Sequence, residues 1–545
     1  VRRTRTAATA LAVALAASLA ASPTAAADPA AENPLAEFHE QEVVWAPCEE
    51  RSLSGLECAE IEVPLDHSDP EGRRITIAIS RNAASDPEQR RGILLTNPGG
   101  PGGTGRHLAL DPDPSSNLWG YGHQRVAEAY DIIGMDPRGS GASGPHLDCG
   151  MPMTLHPPRP DDSEFSSITR TSIAFQRGCE RNHGDLLQHV TTAATARDMD
   201  VIRAALGEEK LNYIGASYGT YLGAVYGSLF PERLDRSVLD SSVVPDGMWR
   251  GVLTLQAEGY RRNVERYSEW LAGYDGLLGF GSTAEEVMET LDAAHGELEE
   301  NPRYDIPGLP EGVPFTADDF DFYVGQSARY QGWWDAYTSD LFLLVHGLPF
   351  PDLELPEPAV PDIELSNDAL MTAILCEAEW PSRLSEYYAD MRRVREESPY
   401  GIGVNWHSPL PCTFASEKPA QPLVELERDG YPAGLVIAGE FDPQTVYEGG
   451  PQMADRLGHG LITVTDEGGH GFYGMAGLEC VDDAVDAYLV DGAAPQDLTC
   501  AGHPRAELGG PATLSAQEQG SMVARVMESR DEVLAPSSGM HPPLR

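Results

Sequence analysis

The chain has 545 residues, 41% of them hydrophobic and 8% aromatic, the make-up of a globular protein rather than a disordered or fibrous one. Acidic residues number 85 against 38 basic ones, giving a formal net charge of −47. A field of that sign repels nucleic acid and anionic membrane surfaces and excludes both as partners, while the length allows one large domain with an insertion or two to three domains.

Residues 1–27 read as a secretory signal: Arg2, Arg3 and Arg5, an Ala/Leu/Val run, then the small residues Ala25, Ala26 and Ala27. The run is too short and too Ala-rich for a stable anchor, and no later segment is long and apolar enough to span a bilayer. An exported protein without membrane insertion is expected. Residues 28–44 are polar and read as a pro-segment or loose arm. The stretch "LECAEIEVPLDHSDPEGRRITIAIS" then reads as an antiparallel strand pair.

Short apolar runs follow, each ending in something chemically distinctive. "RGILLTN" (91–97) leads into "PGGPGGTG", "AYDIIGM" (129–135) into "DPRGSGAS", and "LNYIG" into a turn around Ser217. Farther on, "RSVLDSS" (236–242) is another strand, "AGLVIAGE" (433–440) leads into "FDPQT", and "LITVT" (461–465) into "DEGGHG". Apolar strands with functional residues at their C-terminal ends describe an α/β fold, a mostly parallel sheet with helices on both faces. "TARDMDVIRAALG" sets Met199, Ile202 and Leu206 on one helical stripe and stops at Gly207. Between Gly247 and Ala420 the rhythm breaks into Trp-, Tyr-, Pro- and acid-rich sequence such as "YQGWWDAY". This stretch, 247–420, reads as a mainly helical cap inserted between two parts of the core, 45–246 and 421–502. Residues 503–545 read as a polar tail with one candidate helix in "SAQEQGSMVARVMESRDEVL".

An even cysteine count suits an oxidising compartment. The cysteines fall in neighbouring couples, Cys48/Cys58, Cys149/Cys179, Cys376/Cys412 and Cys480/Cys500, and local pairing is favoured. Neither C-x-x-C nor H-E-x-x-H occurs, so no zinc ribbon, zincin or other metal site is expected.

Ser217 lies in a G-x-S-x-G pattern with Gly215 and Gly219, between an apolar strand and a small-residue helix. A serine hydroxyl needs a base, and His470, flanked by glycines after an apolar strand, is the best candidate. Asp442 in "GEFDPQT" stands where an orienting acid belongs; Glu440 and Asp466 compete for that role. The order Ser217, Asp442, His470 is that of α/β-hydrolases. The long interval from Ser217 to Asp442 again calls for a cap. For the oxyanion, backbone N–H donors are expected from Tyr218 and from Gly100 in "NPGGPGGTG". Gly100, Gly102 and Gly105 also satisfy G-x-G-x-x-G, but Pro98 and Pro101 crowd the loop and "GMDPRG" replaces a ribose-binding acid, which argues against a dinucleotide site.

Taken together, "NPGGPGG", "DIIGMDPRGSGAS", "TARDMDVIRAALG", "GASYGTYLGAVYGSLFPERLDRSVLDSSVVP", "AILCEAEWP", "GEFDPQT" and "GGHG" followed by Cys480 and Cys500 resemble the secreted actinobacterial tripeptidyl aminopeptidases. These and their relatives in the prolyl aminopeptidase family are α/β-hydrolases, and the resemblance runs from about Val44 to Cys500. It implies a monomeric serine exopeptidase without cofactor, acting on peptides with a free N-terminus. It further implies acids in the cap that hold the substrate ammonium, and Glu377 and Glu379 match that region. Relatives often show Cys-Asn-Asp where this chain has Cys376-Glu377-Ala378, and Thr-Pro where it has Thr445-Val446. The first departure bears on how many residues are released. A secreted esterase or lipase on the same triad is the alternative, and a silent binding protein of this fold is disfavoured by the intact triad. The remaining histidines lack comparable context.

Overall fold

The computed structural model describes residues 33–111, 118, 120–153, 156–351, 360–416, 421–508, 522, 523 and 526. The signal-like segment 1–27 lies outside them. Ten strands form one sheet: β1 (Ala46–Pro47), β2 (Glu57–Pro64), β3 (Arg74–Asn82), β4 (Ile93–Asn97), β5 (Asp131–Met135), β6 (Leu211–Ala216), β7 (Leu234–Asp240), β8 (Leu435–Gly439), β9 (Gly460–Thr465) and β10 (Leu498–Ala501). Their spatial order is β1-β2-β3-β5-β4-β6-β7-β8-β9-β10. The pairings among β1, β2, β3 and β5 are antiparallel, and every later pairing is parallel.

The central strands are apolar at nearly every position because both faces of the sheet are covered. Ile93 and Leu95 of β4, Ile133 and Met135 of β5 and Tyr213 of β6 point into one core. Their neighbours Leu94, Ile132 and Ile214 point into a second core on the other face. Alternation along the strand thus serves two hydrophobic layers rather than one core and solvent. The expected helix in "TARDMDVIRAALG" spans Thr192–Ala205, with the Thr191 side chain accepting the Ala194 N–H at its start.

The same helix carries a buried acid. Asp198 receives the Arg138 Nε–H on Oδ2 (2.7 Å), and His67 Nε2 lies 2.9 Å from Oδ1. Arg138, from "DPRGSG", also donates to the carbonyls of Leu65 and His189 (2.8 and 2.9 Å), joining the β2–β3 hairpin to the helical layer.

Between β7 and β8 the chain leaves the sheet and forms helices Arg250–Ala272, Ala284–Glu300, Ala317–Ser327, Trp334–Val345, Asp368–Leu375 and Leu384–Glu397. Arg159, from the core, pairs through Nε with Asp321 of this helical insertion (2.7 Å). Strap-like contacts run back to the sheet as well: Thr104 N–H donates to the Leu365 carbonyl (3.0 Å) and Asn367 N–H to that of Gly102 (2.9 Å).

Both polar ends of the sequence depart from expectation. In 33–44, read as a loose arm, Phe38 is buried with the Arg74 guanidinium 4.8 Å above its ring, and Gln41 exchanges hydrogen bonds with the Glu62 backbone (2.9 and 3.0 Å). Packing likewise continues past 503: His503 Nδ1 lies 2.7 Å from Glu467 Oε2, and Trp270 Nε1–H donates to the Ala506 carbonyl (3.0 Å). Of the candidate tail helix only Met522, Val523 and Val526 are described, helical and buried. Disulfides join Cys48–Cys58, Cys149–Cys179, Cys376–Cys412 and Cys480–Cys500, separated by 10, 30, 36 and 20 positions. Among the described residues no helix is long and apolar enough to cross a membrane.

Candidate active site

β6 ends at Ala216 and the helix Tyr218–Leu229 begins at Tyr218, so the reversal rests on Ser217 alone. Its backbone has φ 57 and ψ −124, a region that strains any residue with a side chain and pushes that side chain out of the turn. The flanking glycines are required by contact: a Cβ on Gly215 would fall 2.4 Å from the Gly219 carbonyl oxygen, and one on Gly219 would fall 2.9 Å from Asn97 Oδ1. Strand, turn and helix approach more closely here than side chains permit.

The loop after β4 lies against this turn. A Cβ on Gly99 would sit 2.8 Å from the Ser217 Cβ and 3.1 Å from Tyr218 N, so the backbone next to Gly100 borders the first N–H groups of the helix. The same loop is covered on its far side, where a Cβ on Gly102 would meet the Asn367 carbonyl at 2.8 Å.

The loops after β8 and β9 bring Asp442 and His470 together, with 2.7 Å between Asp442 Oδ2 and His470 Nδ1. Asp442 Oδ2 also receives the Thr445 hydroxyl (2.7 Å), and Oδ1 accepts the N–H groups of Gln444 and Thr445 (2.9 and 3.2 Å). Burial pushes this carboxyl up, but His470, Thr445 and the Arg329 guanidinium outweigh it, and its pKa lies below the ordinary aspartate value. The two rival acids are engaged elsewhere. Glu440 Oε2 accepts the Asp466 N–H (2.8 Å), and Asp466 pairs with Arg505 (2.9 Å).

Glu377 and Glu379 part company. Glu379 is exposed. Glu377 is 8% exposed, about as covered as Ser217 at 9%. Its Oε1 accepts the Thr192 hydroxyl (2.7 Å) and Trp249 Nε1–H (3.1 Å), and its Oε2 accepts the Thr192 N–H (2.7 Å). Thr192 Oγ1 is also 3.1 Å from the Tyr218 hydroxyl, and the Trp249 ring lies 5.6 Å from that of Tyr218. Burial raises the Glu377 pKa to about 7 despite the three donors, all of which are neutral.

Several residues of this site escaped the sequence reading. Thr445 stands only three positions from Asp442, and its hydroxyl in "FDPQT" was the available signal. Thr192 and Trp249 offered none, because their partner lies 185 and 128 positions away. Asp240 and Ser241, at the end of β7, hold the loop that carries His470: the Gly471 N–H donates to Ser241 Oγ (2.7 Å) and the Phe472 N–H to Asp240 Oδ2 (2.8 Å).

Residues 398–500 match the family described as TAP-like protein. The tripeptidyl aminopeptidase of Streptomyces coelicolor is 34% identical over 469 residues, 82% of this chain and 83% of that protein. Serine protease Hip1 of Mycobacterium tuberculosis is 29% identical over 483 residues, 84% of this chain and 90% of that protein. Carboxylesterase B of the same species is 28% identical over 497 residues, 87% of this chain and 92% of that protein. With its mostly parallel sheet, helices on both faces and 34% identity to a tripeptidyl aminopeptidase over 82% of its length, the chain belongs to the tripeptidyl aminopeptidase family of α/β-hydrolase serine peptidases.

Proposed function

We propose that the chain is an exported serine exopeptidase that releases short peptides, tripeptides in the first instance, from the free N-terminus of peptides and proteins. Ser217 Oγ attacks the scissile carbonyl as His470 Nε2 takes its proton. Asp442 holds the imidazole through Nδ1 and stabilises its cationic form. The N–H groups of Gly100 and Tyr218 receive the developing oxyanion, and each such donor contributes roughly a hundred- to thousandfold in kcat. Collapse of the tetrahedral intermediate expels the shortened peptide as an amine, which takes the proton from His470. Water then attacks the acyl-enzyme, giving up a proton to His470, and as the second tetrahedral intermediate collapses His470 returns that proton to Ser217 Oγ while the short peptide leaves with a new C-terminal carboxyl.

Glu377 carries the exopeptidase reading. It is a buried carboxyl beside Tyr218 whose hydrogen-bond donors, Thr192 and Trp249, are neutral. A carboxylate in that setting is incomplete without a cation, and the ammonium of a free N-terminus is the cation such a substrate supplies. Fixing the amine there sets how many residues reach back to Ser217.

The test compares a free-amine Ala-Ala-Pro chromogenic amide, the same compound N-acetylated and a short-chain aryl ester, with Ser217→Ala as blank. Fast cleavage of the free tripeptide and its loss on acetylation are expected. Carboxylesterase B among the relatives favours a second reading, an esterase on the same triad. Ester turnover with neither amide cleaved would establish that reading and end the peptidase one.

A further inference from the structure

Asp240 closes β7 with a fully buried side chain, and no arginine or lysine among the described residues pairs with it. Its Oδ2 accepts two consecutive backbone N–H groups, those of Phe472 and Tyr473, at 2.8 Å each. Its carbonyl oxygen accepts the N–H of Ser217 at 2.9 Å. Ser241, next in the chain and at φ 53, receives the Gly471 N–H on Oγ at 2.7 Å and directs its own hydroxyl to Asp240 Oδ1 at 3.4 Å. Three successive N–H groups after His470 therefore end on one dipeptide, and that dipeptide also holds the backbone of Ser217.

A serine or asparagine could receive those N–H groups without burying a charge. An interior carboxylate with no paired cation is costly, so the charge itself calls for a role. The charged and titratable groups facing Asp240 are His470 from the loop after β9, Asp442 from the loop after β8 and Tyr121 from the segment after the short turn Arg106–Ala109. Of these only His470 becomes a cation, at the moment it takes the Ser217 proton.

We infer that Asp240 is a positioning residue of the reaction, a second carboxylate that locks the His470 loop to the Ser217 backbone and stabilises the imidazolium through space. This inference rests on the proposed triad. Asp442 acts on His470 by direct contact, Asp240 by its field and by the loop. Burial raises the Asp240 pKa to about 6, with the Phe472 and Tyr473 N–H groups and His470 working against it and Asp442 reinforcing it. The group is therefore charged at neutral pH and neutral in mild acid.

The experiment follows kcat and KM for the free tripeptide amide across roughly pH 5 to 9 in wild type, D240N, D240S, D240E, S241A and S217A. Removing the negative charge disfavours the protonated base, so D240N and D240S are expected to lose about tenfold or more in kcat. Their KM is unchanged, and the His470 step of the acid limb of kcat/KM, read in a Glu377→Gln background that removes the Glu377 step, moves to lower pH. D240E keeps the charge and keeps the limb in place. S241A disturbs the loop without touching the charge, so it lowers kcat and leaves the limb where it was. D240S, with a small acceptor, is the second neutral variant should D240N not fold. An acid limb unmoved in both neutral variants, with S217A inactive, overturns the electrostatic role and leaves the triad standing. Turnover surviving in S217A overturns the triad instead.

Discussion

Trp249 Nε1–H donates to Glu377 Oε1 over 3.1 Å while its ring stands 5.6 Å from that of Tyr218. One side chain thus touches both the carboxyl assigned to the substrate amine and the residue assigned to the oxyanion. Glu377→Gln keeps the shape and the acceptor oxygen but removes the charge. A hydrogen bond to a charged group contributes about 1.5–3 kcal/mol, so kcat/KM for the free tripeptide amide should fall roughly ten- to hundredfold. The N-acetylated compound should be cleaved at its former rate, and the ratio of the two substrates is the readout.

The raised Glu377 pKa gives a pH dependence of definite sign. Below about 7 the carboxyl is protonated and cannot pair with an ammonium; above it the carboxylate forms. Activity on free-amine substrates should rise through that pH and fall again as the substrate amine, with an ordinary pKa of about 8, loses its proton. Glu377→Gln should remove the Glu377 step of the rising limb near neutrality and leave the step set by the His470 base. Profiles with free and acetylated substrates measured side by side check this.

Thr445 Oγ1 donates to Asp442 Oδ2 at 2.7 Å and lies 3.4 Å from His470 Nδ1. Thr445→Val removes that donor from a buried carboxylate while keeping the bulk. A loss of about 1.5–3 kcal/mol at the acid should lower kcat by roughly ten- to hundredfold with KM little changed. Steady-state kinetics separate the two parameters.

How much of this was legible in sequence depended on distance along the chain. Ser217, Asp442 and His470 each carry a local signature, since a strand, a turn and a glycine neighbour announce them within a few residues. Glu377 was visible only through a motif, and nothing in the motif separated it from Glu379, because burial is decided by what packs over each. Asp198 looks like one more acid on an exposed helical face; only the fold reveals that Arg138 and His67 lie under it. Asp240 sits in "VLDSS", where small polar residues after a strand read as an ordinary turn, and its partners are amides 232 and 233 positions away. Phe38 was hidden for the opposite reason, a lone aromatic in a polar stretch that has no period to betray it.

The Arg138–Asp198 pair is fully buried, and burial there would push the carboxyl up, but Arg138 and His67 hold it below the ordinary aspartate value. Asp198→Asn leaves the guanidinium without its counter-charge and should cost about 3–5 kcal/mol of stability, read as a lowered denaturation midpoint. A depressed carboxyl stabilises the fold above its unfolded pKa of about 3.9 and loses that contribution as pH falls through its lower folded value. The variant should therefore show a weaker loss of stability with acid than wild type.

Cys376 precedes Glu377, and its bridge to Cys412 closes a loop spanning 36 positions. On chain-entropy grounds removing it costs roughly 4 kcal/mol. The double variant Cys376→Ser/Cys412→Ser should melt earlier and lose discrimination between free and acetylated substrates before it loses ester or amide turnover as such. Thermal unfolding and the substrate ratio, measured on the same preparation, test both parts.

The four bridges have a common order: each joins two cysteines that are consecutive in the chain. A chain that emerges N-terminus first during synthesis presents its sulfurs in that same sequence. An oxidant that couples each newcomer to the one still waiting makes every bond correctly on the first attempt. Pairing in that order forms no bridge that a later cysteine must displace, so oxidation alone completes all four without reshuffling.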